Sequence, residues 1–311
     1  MRLPRRLQRP PSSDRTPVSD GRPTLTGLLS VTTAGRAYAM NPRPHSTSLL
    51  TSDGVRLHVL ESFPGGADAS QPRSPVIALV PGWSMPASSW REQLLALGPT
   101  HCVAALDPRG QGESELPASG YTIERRAADV SEFIARYPQV ILVGWSLGAL
   151  EALECIARHG HENIRALVLV DSSVGEEPAP APESGPGFKE KLRTDRKGTL
   201  DEFVRAIFSA TREESEIEAL IQSALRLPLE ASLSLFPSSV PRTHWRDIAW
   251  AFPKPLLYAV STQFAAQARS LQRNRPGTEI EIFETAGHAL FADEPERFNE
   301  LLTAFAAVAA G

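Results

Sequence analysis

The chain predicts an α/β fold: a mostly parallel central sheet, helices on both faces, and a helical cap inserted before the penultimate strand. Three observations carry this reading. Short apolar runs alternate with segments of helical periodicity from residue 46 onward. One apolar run, Val140-Ile-Leu-Val143, ends in Gly144-Trp-Ser146-Leu-Gly148 and passes at once into a helical segment. Between residues 176 and 251 the strands stop while the helical patterns continue.

The elements follow in order. Leu49 to Thr51 and Val55 to Ser62 flank Asp53-Gly54, a hairpin signal, because both residues tolerate the left-handed backbone of a tight turn. Pro75 to Val80 and Cys102 to Leu106 are short continuous apolar runs suited to buried strands. Between them Ala87 to Leu97 is helical, with Trp90, Leu94, Leu95 and Leu97 available to pack inward. Ile123 to Tyr137 places Ala127, Val130, Phe133 and Ile134 on one helical face. Strand 140–143, helix 147–158 and strand Ala166 to Val170 come next. The Pro- and Gly-rich stretch 176–187 breaks this rhythm. Helices are then expected at Leu200–Ser209, Glu213–Leu225, Glu230–Leu235 and His244–Ala251. Strands resume at Pro255–Val260 and Glu279–Phe283, and a helix over Pro295–Ala309 closes the chain. The expected organisation is a core of 46–175 and 252–311 with a cap of 176–251.

Composition narrows the class. The 311 residues are 41% hydrophobic, enough for one large domain with an insertion. The net charge of −4 and pI near 6.0 imply no nucleic-acid or membrane-surface partner. No apolar run reaches the roughly 18 residues needed to span a bilayer. Cys102 and Cys155 fall in a strand and a helix, and read as buried thiols rather than a disulfide. Histidine and cysteine nowhere cluster at ligand spacing, so no metal is expected. No nucleotide cofactor is expected either. Residues 1–45 differ from the rest: eight Arg against two Asp, seven Pro, and no Lys or Glu. They read as a disordered extension or as sequence ahead of a true start at Met40. Leu25 to Val31 followed by Ala37-Tyr-Ala39 only loosely imitates an export signal, so the expected location is cytoplasmic.

The chemistry begins at Ser146. A serine between a strand and a helix, with glycines two residues either side, is presented at the top of a sheet on a nucleophile elbow. Its hydroxyl is a weak nucleophile and needs a base. Of the seven histidines, His288 lies in a loop just after the last strand, in Gly287-His-Ala-Leu-Phe291. It is the expected base, and then the acid that protonates the leaving group. His58, His101, His159, His161 and His244 sit in a hairpin, at a strand start, at a helix end and in the cap. Asp107-Pro-Arg-Gly-Gln-Gly-Glu-Ser114 reads as a glycine-rich structural turn, so Asp107 and Arg109 are expected to be structural.

With these motifs placed, residues 46 to 310 resemble the α/β-hydrolase family. Val80-Pro81-Gly82-Trp83 looks like that family's loop after the first buried strand, with Pro81 where His is usual. The elbow wording Gly-Trp-Ser-Leu-Gly is similar to that of pimeloyl-carrier-protein methyl-ester esterases, and the layout to cofactor-free chloroperoxidase and perhydrolase-like esterases. The resemblance implies an oxyanion hole made by the backbone N–H groups of Trp83 and Leu147. It implies a hydrolase acting on a small ester through an acyl-enzyme. Trp83, Met85 and Trp145 flank the presumed site, so a mainly apolar acyl pocket is expected. Peroxide-dependent acyl transfer on the same residues, and a non-catalytic hydrolase-fold ligand receptor, are the two alternatives.

The third catalytic member departs from the usual pattern. Relatives of this family mostly carry the acid after the penultimate strand, in G-x-x-D. Here Lys254 to Phe264 puts Phe264 at that point, and no Asp or Glu occurs between Asp247 and Glu279. Asp171, at the end of Val-Leu-Val-Asp171 and on the same sheet edge as Ser146, is the expected acid. Its role as a mere strand-end cap is the competing reading, and Glu284 is a distant second candidate.

Overall fold

The computed structural model describes residues 43–65, 74–179 and 187–310. The expectations for the first 42 residues, including the start at Met40 and the export-like stretch, lie outside this range. Eight strands form one sheet: β1 (His45–Leu50), β2 (Arg56–Ser62), β3 (Val76–Val80), β4 (Val103–Leu106), β5 (Val140–Trp145), β6 (Ile164–Val170), β7 (Leu256–Ser261) and β8 (Thr278–Phe283). Their order is β1-β2-β4-β3-β5-β6-β7-β8. β2 runs antiparallel to β1 and β4, and every later pairing is parallel.

The parallel strands explain their own sequences. β3, β4 and β5 are buried at every position, because helices cover both faces and no side chain of a central strand meets water. On one face α2 (Ile123–Ile134) and α3 (Leu147–His159) pack against Val76, Ala78 and Leu142. On the other, α1 (Arg91–Leu97) and the final helix α11 (Pro295–Ala310) pack on Ile77, Leu79, Ile141 and Val143. Each fully buried Val, Leu or Ile contributes on the order of 1.5–3 kcal/mol, so the sheet holds most of the burial energy.

Between β6 and β7 the described residues hold five helices and no strand: α4 (Phe188–Thr194), α5 (Arg196–Ala206), α6 (Glu214–Arg226), α7 (Leu229–Ser234) and α8 (Arg242–Ala251). α6 buries Ile217, Leu220, Ile221 and Ala224, a stripe at helical spacing. Gly175 marks where the chain leaves the sheet, at φ +84°, a backbone conformation that strains any side-chain-bearing residue. A Cβ there would also lie 2.0 Å from the Arg242 carbonyl oxygen.

Several boundaries differ from the sequence reading. The helix expected at Ala87–Leu97 is a 3-10 turn, Ala87–Trp90, that runs into α1. α5 starts at Arg196, where Asp195 caps the Gly198 amide, rather than at Leu200. α4, the helix α9 (Ala265–Asn274) and the short α10 (Leu290–Asp293) were not expected. α9 buries only Ala265, Gln267, Ala268, Ser270 and Leu271, a face too small and polar to stand out. β1 begins at His45, four residues earlier than the hairpin signal suggests. Cys102 and Cys155 are free and buried, and burial pushes the Cys155 thiol up to about 12.

Candidate active site

Ser146 stands between β5 and α3 with φ 55° and ψ −119°. A side-chain-bearing residue at positive φ is strained, and such strain persists only where the surroundings over-determine it. Here the flanking glycines allow the close approach. A Cβ on Gly144 would meet the Gly148 carbonyl oxygen at 2.4 Å, and one on Gly148 would meet the carbonyl oxygens of Val80 and Pro81 at 2.6 Å. The start of α3 is thereby pressed against the end of β3. The Ser146 N–H donates to the Val170 carbonyl at 2.9 Å, tying the turn to β6.

Three expected residues, far apart in sequence, lie in one hydrogen-bonded row. Ser146 Oγ is 2.9 Å from His288 Nε2, and His288 Nδ1 is 2.7 Å from Asp171 Oδ2. A carboxylate only accepts, so the Nδ1 facing Asp171 carries the ring proton and Nε2 is left to accept from the serine hydroxyl. Asp171 is fully buried at the end of β6, also with positive φ, 42°. Its other oxygen accepts from the Ser261 N–H at 2.6 Å, and its own N–H donates to the Ala259 carbonyl. Both carboxylate oxygens therefore have donors. At the position the family pattern reserves for an acid, Phe264 ends a 3-10 turn after β7 and is buried in the core. Glu284 is exposed at the head of the His288 loop.

The loop carrying His288 is held from three sides. The Trp145 indole donates to the His288 carbonyl at 2.9 Å. Asp293 accepts from the Gly287 N–H at 2.7 Å and from the Ser209 and Ala210 amides, and the Ala289 N–H donates to the Ile207 carbonyl. Asp293 thus joins the His288 loop to residues 209 and 210, and the sequence reading missed it. Its only signal is its place five residues after the histidine.

Trp83 follows Gly82, and a Cβ on Gly82 would lie 3.2 Å from Ser146 Cβ, so this loop runs hard against the elbow. The Trp83 indole donates to the Ser232 carbonyl at 2.7 Å and its ring packs among Phe188, Phe203 and Phe236, with centroids 5.0–5.4 Å away. Leu147 is the first residue of α3, where amide groups have no intrahelical acceptor and the helix dipole is positive.

A cavity of about 690 Å³ lies between the 3-10 turn before α1, α6 and the His288 loop. Trp145, Phe208, Leu220 and Phe291 form apolar parts of its wall, and Arg212 and Arg226 line it too. Ser146 and His288 do not line it, but their neighbours Trp145 and Ala289 do. Met85, expected beside the pocket, is not part of this wall. The chain turns inward after Ser84, at φ 57°, and the Met85 side chain is buried with Trp90 and Trp145. Asp107 and Arg109 have structural partners: Asp107 accepts from the Ala87 and Glu113 amides, and Arg109 pairs with Asp129 and Asp53.

A serine on a strand–helix elbow, a histidine after the last strand, and a sheet of this order together define a hydrolase of the α/β type. The chain belongs to the alpha/beta hydrolase family, whose model matches residues 77–301. It is similar to the pimeloyl-[acyl-carrier protein] methyl ester esterase of Aeromonas hydrophila subsp. hydrophila, 26% identical over 246 residues, spanning 75% of this chain and 96% of that protein. Among solved structures, the esterase EaEST from Exiguobacterium antarcticum superposes with a TM-score of 0.71 at 23% identity, covering 85% of this chain and all of that one. A bromoperoxidase from Bacillus anthracis gives 0.70 at 21% identity, covering 84% and 99%. These two likenesses are of fold. Among the described residues, no helix is long and apolar enough to cross a membrane.

Proposed function

We propose that this enzyme cleaves small carboxylic esters through an acyl-enzyme, with Ser146 as nucleophile, His288 as base and then acid, and Asp171 as the group that orients the imidazole. The observation that carries the reading is the continuous row Ser146 Oγ, His288 Nε2, His288 Nδ1, Asp171 Oδ2 at 2.9 and 2.7 Å. His288 takes the hydroxyl proton as Oγ attacks the carbonyl carbon, and passes it to the departing alcohol. Water then attacks the acyl-enzyme by the same route in reverse. The backbone N–H groups of Trp83 and Leu147 would hold the tetrahedral oxyanion, each worth on the order of 10²–10³ in rate. The esterase names of the relatives support an ester over other acyl compounds.

We read residues 176–251 as a cap whose α5 and α6 close over the elbow, and the cavity under α6 as room for part of the substrate. A fluorophosphonate probe tests the core of the proposal. It should label Ser146 at full stoichiometry, and Ser146→Ala should lose both labelling and turnover of a p-nitrophenyl ester. Turnover that persists in the alanine variant would end this reading.

A further inference from the structure

A row of fully buried polar side chains runs from the far side of α3 to the loop that carries Trp83. Glu151, on α3, lies 2.9 Å from Arg126 on α2. The other guanidinium nitrogen of Arg126 donates to Gln111 Oε1 at 2.9 Å. Gln111 Nε2 then donates to the Met85 carbonyl at 2.5 Å. Glu151, Arg126 and Gln111 are each no more than 1% exposed. Arg126 has no acceptor atom, so the Gln111 oxygen must face it and the amide nitrogen must face Met85. The orientation of this amide is thus dictated by chemistry rather than by choice.

Met85 closes a four-residue turn, its own N–H donating to the Gly82 carbonyl at 3.2 Å. Trp83 and Ser84 are the two residues inside that turn. Ser84 is held at φ 57°, and its buried hydroxyl has no hydrogen-bond partner among the described residues, so nothing of its own secures the strained conformation. The turn is secured from outside, through a side chain by the Trp83 indole donating to the Ser232 carbonyl, and on its backbone by Gln111 on the Met85 carbonyl and by Asp107 on the Ala87 N–H at 2.5 Å.

We infer that Gln111 is a positioning residue that fixes the Trp83 N–H at the oxyanion site, and that the Arg126–Glu151 pair holds Gln111 in the one orientation able to do so. The inference rests on the serine-esterase reading above and names the part of the chain that sets its oxyanion geometry. A donor that moves away from the oxyanion loses transition-state binding while leaving ground-state binding of the ester almost untouched.

Gln111→Glu is the deciding variant. It keeps the shape and the acceptor for Arg126, and the assays are run at pH 9, where the carboxyl is ionised and has no proton to donate to the Met85 carbonyl. Gln111→Leu removes both ends of the link. Each is compared with the parent on p-nitrophenyl butyrate, and by inhibition with an aliphatic trifluoromethyl ketone, whose serine adduct carries an oxyanion. The expected result for Gln111→Glu is a kcat lowered about 10- to 100-fold with KM within twofold, and ketone affinity lowered in parallel. Wild-type kcat and ketone affinity would overturn the inference, as would a loss confined to KM. If Gln111→Leu does not fold, Gln111→Glu alone decides. Ser146→Ala, run alongside, separates the two levels: its activity reports on the esterase reading and not on Gln111.

Discussion

The indole N–H of Trp145 donates to the backbone carbonyl of His288 at 2.9 Å, so the residue just before Ser146 holds the loop that carries His288. Their rings also stand 5.4 Å apart. The elbow and the histidine loop are therefore one mechanical unit, although 142 residues separate Ser146 from His288.

Trp145→Phe keeps most of the ring contact with Phe291 and removes only the donor. A hydrogen bond of this kind is worth about 0.5–1.5 kcal/mol, which predicts a kcat/KM lowered roughly 2- to 12-fold with the protein still folded. Steady-state kinetics on a short ester, with thermal unfolding as control, would check this.

Asp171→Asn should lower kcat by about 10⁴, since the amide cannot both accept from the imidazole N–H and stabilise the imidazolium. Its remaining oxygen can still accept from the Ser261 N–H, so the melting temperature should change little. A tenfold loss or less would return Asp171 to the role of a strand-end cap.

Filling the cavity should alter substrate choice. Leu220→Trp, on α6 facing the space beside Trp145, is expected to lower kcat/KM for octanoyl esters roughly tenfold relative to acetyl esters. A p-nitrophenyl ester series reads this directly. An unchanged chain-length profile would place the substrate elsewhere.

The contact between α8 and the core should be acid-labile. Glu154 on α3 accepts from His244 Nε2 at 2.6 Å and from Arg158. Burial pushes its carboxyl up, but these two bonds outweigh burial and hold it below the ordinary value of 4.5. A carboxyl depressed in the folded state adds stability that is fully present above 4.5 and is lost as pH falls through the folded value. Wild type should exceed Glu154→Gln in urea-unfolding stability at pH 7, and the gap should close below pH 4.5.

The sheet was legible in the sequence because its central strands are apolar at every position and the helices between them have clear stripes. Ser146, His288 and Asp171 could be singled out because each ends or follows a strand at one edge, and the missing acid after β7 left few candidates. What escaped was non-local or weakly patterned. α9 has a small, partly polar buried face. The aromatic surroundings of Trp83 come from Phe188, Phe203 and Phe236, and no spacing reveals such an assembly. Met85 is expected beside the pocket because it flanks the presumed site with Trp83 and Trp145; its side chain is buried and is not part of the wall of the cavity under α6.

On the proposed mechanism, an acid placed just after β6 ties catalysis to architecture at a particular place. Asp171 and Gly175 are four residues apart, one bonded to His288 and the other wedged against Arg242 at the head of α8. A chimera that exchanges the whole helical insertion with a relative's must therefore splice after Gly175, not after β6. Cut at the strand end, the graft would bring its own root and drag the carboxylate with it. The turn after β7 has the opposite freedom. Holding no Asp or Glu, Thr262–Phe264 keeps only Phe264 buried, which makes its two preceding residues the more forgiving place to remodel the rim of the sheet.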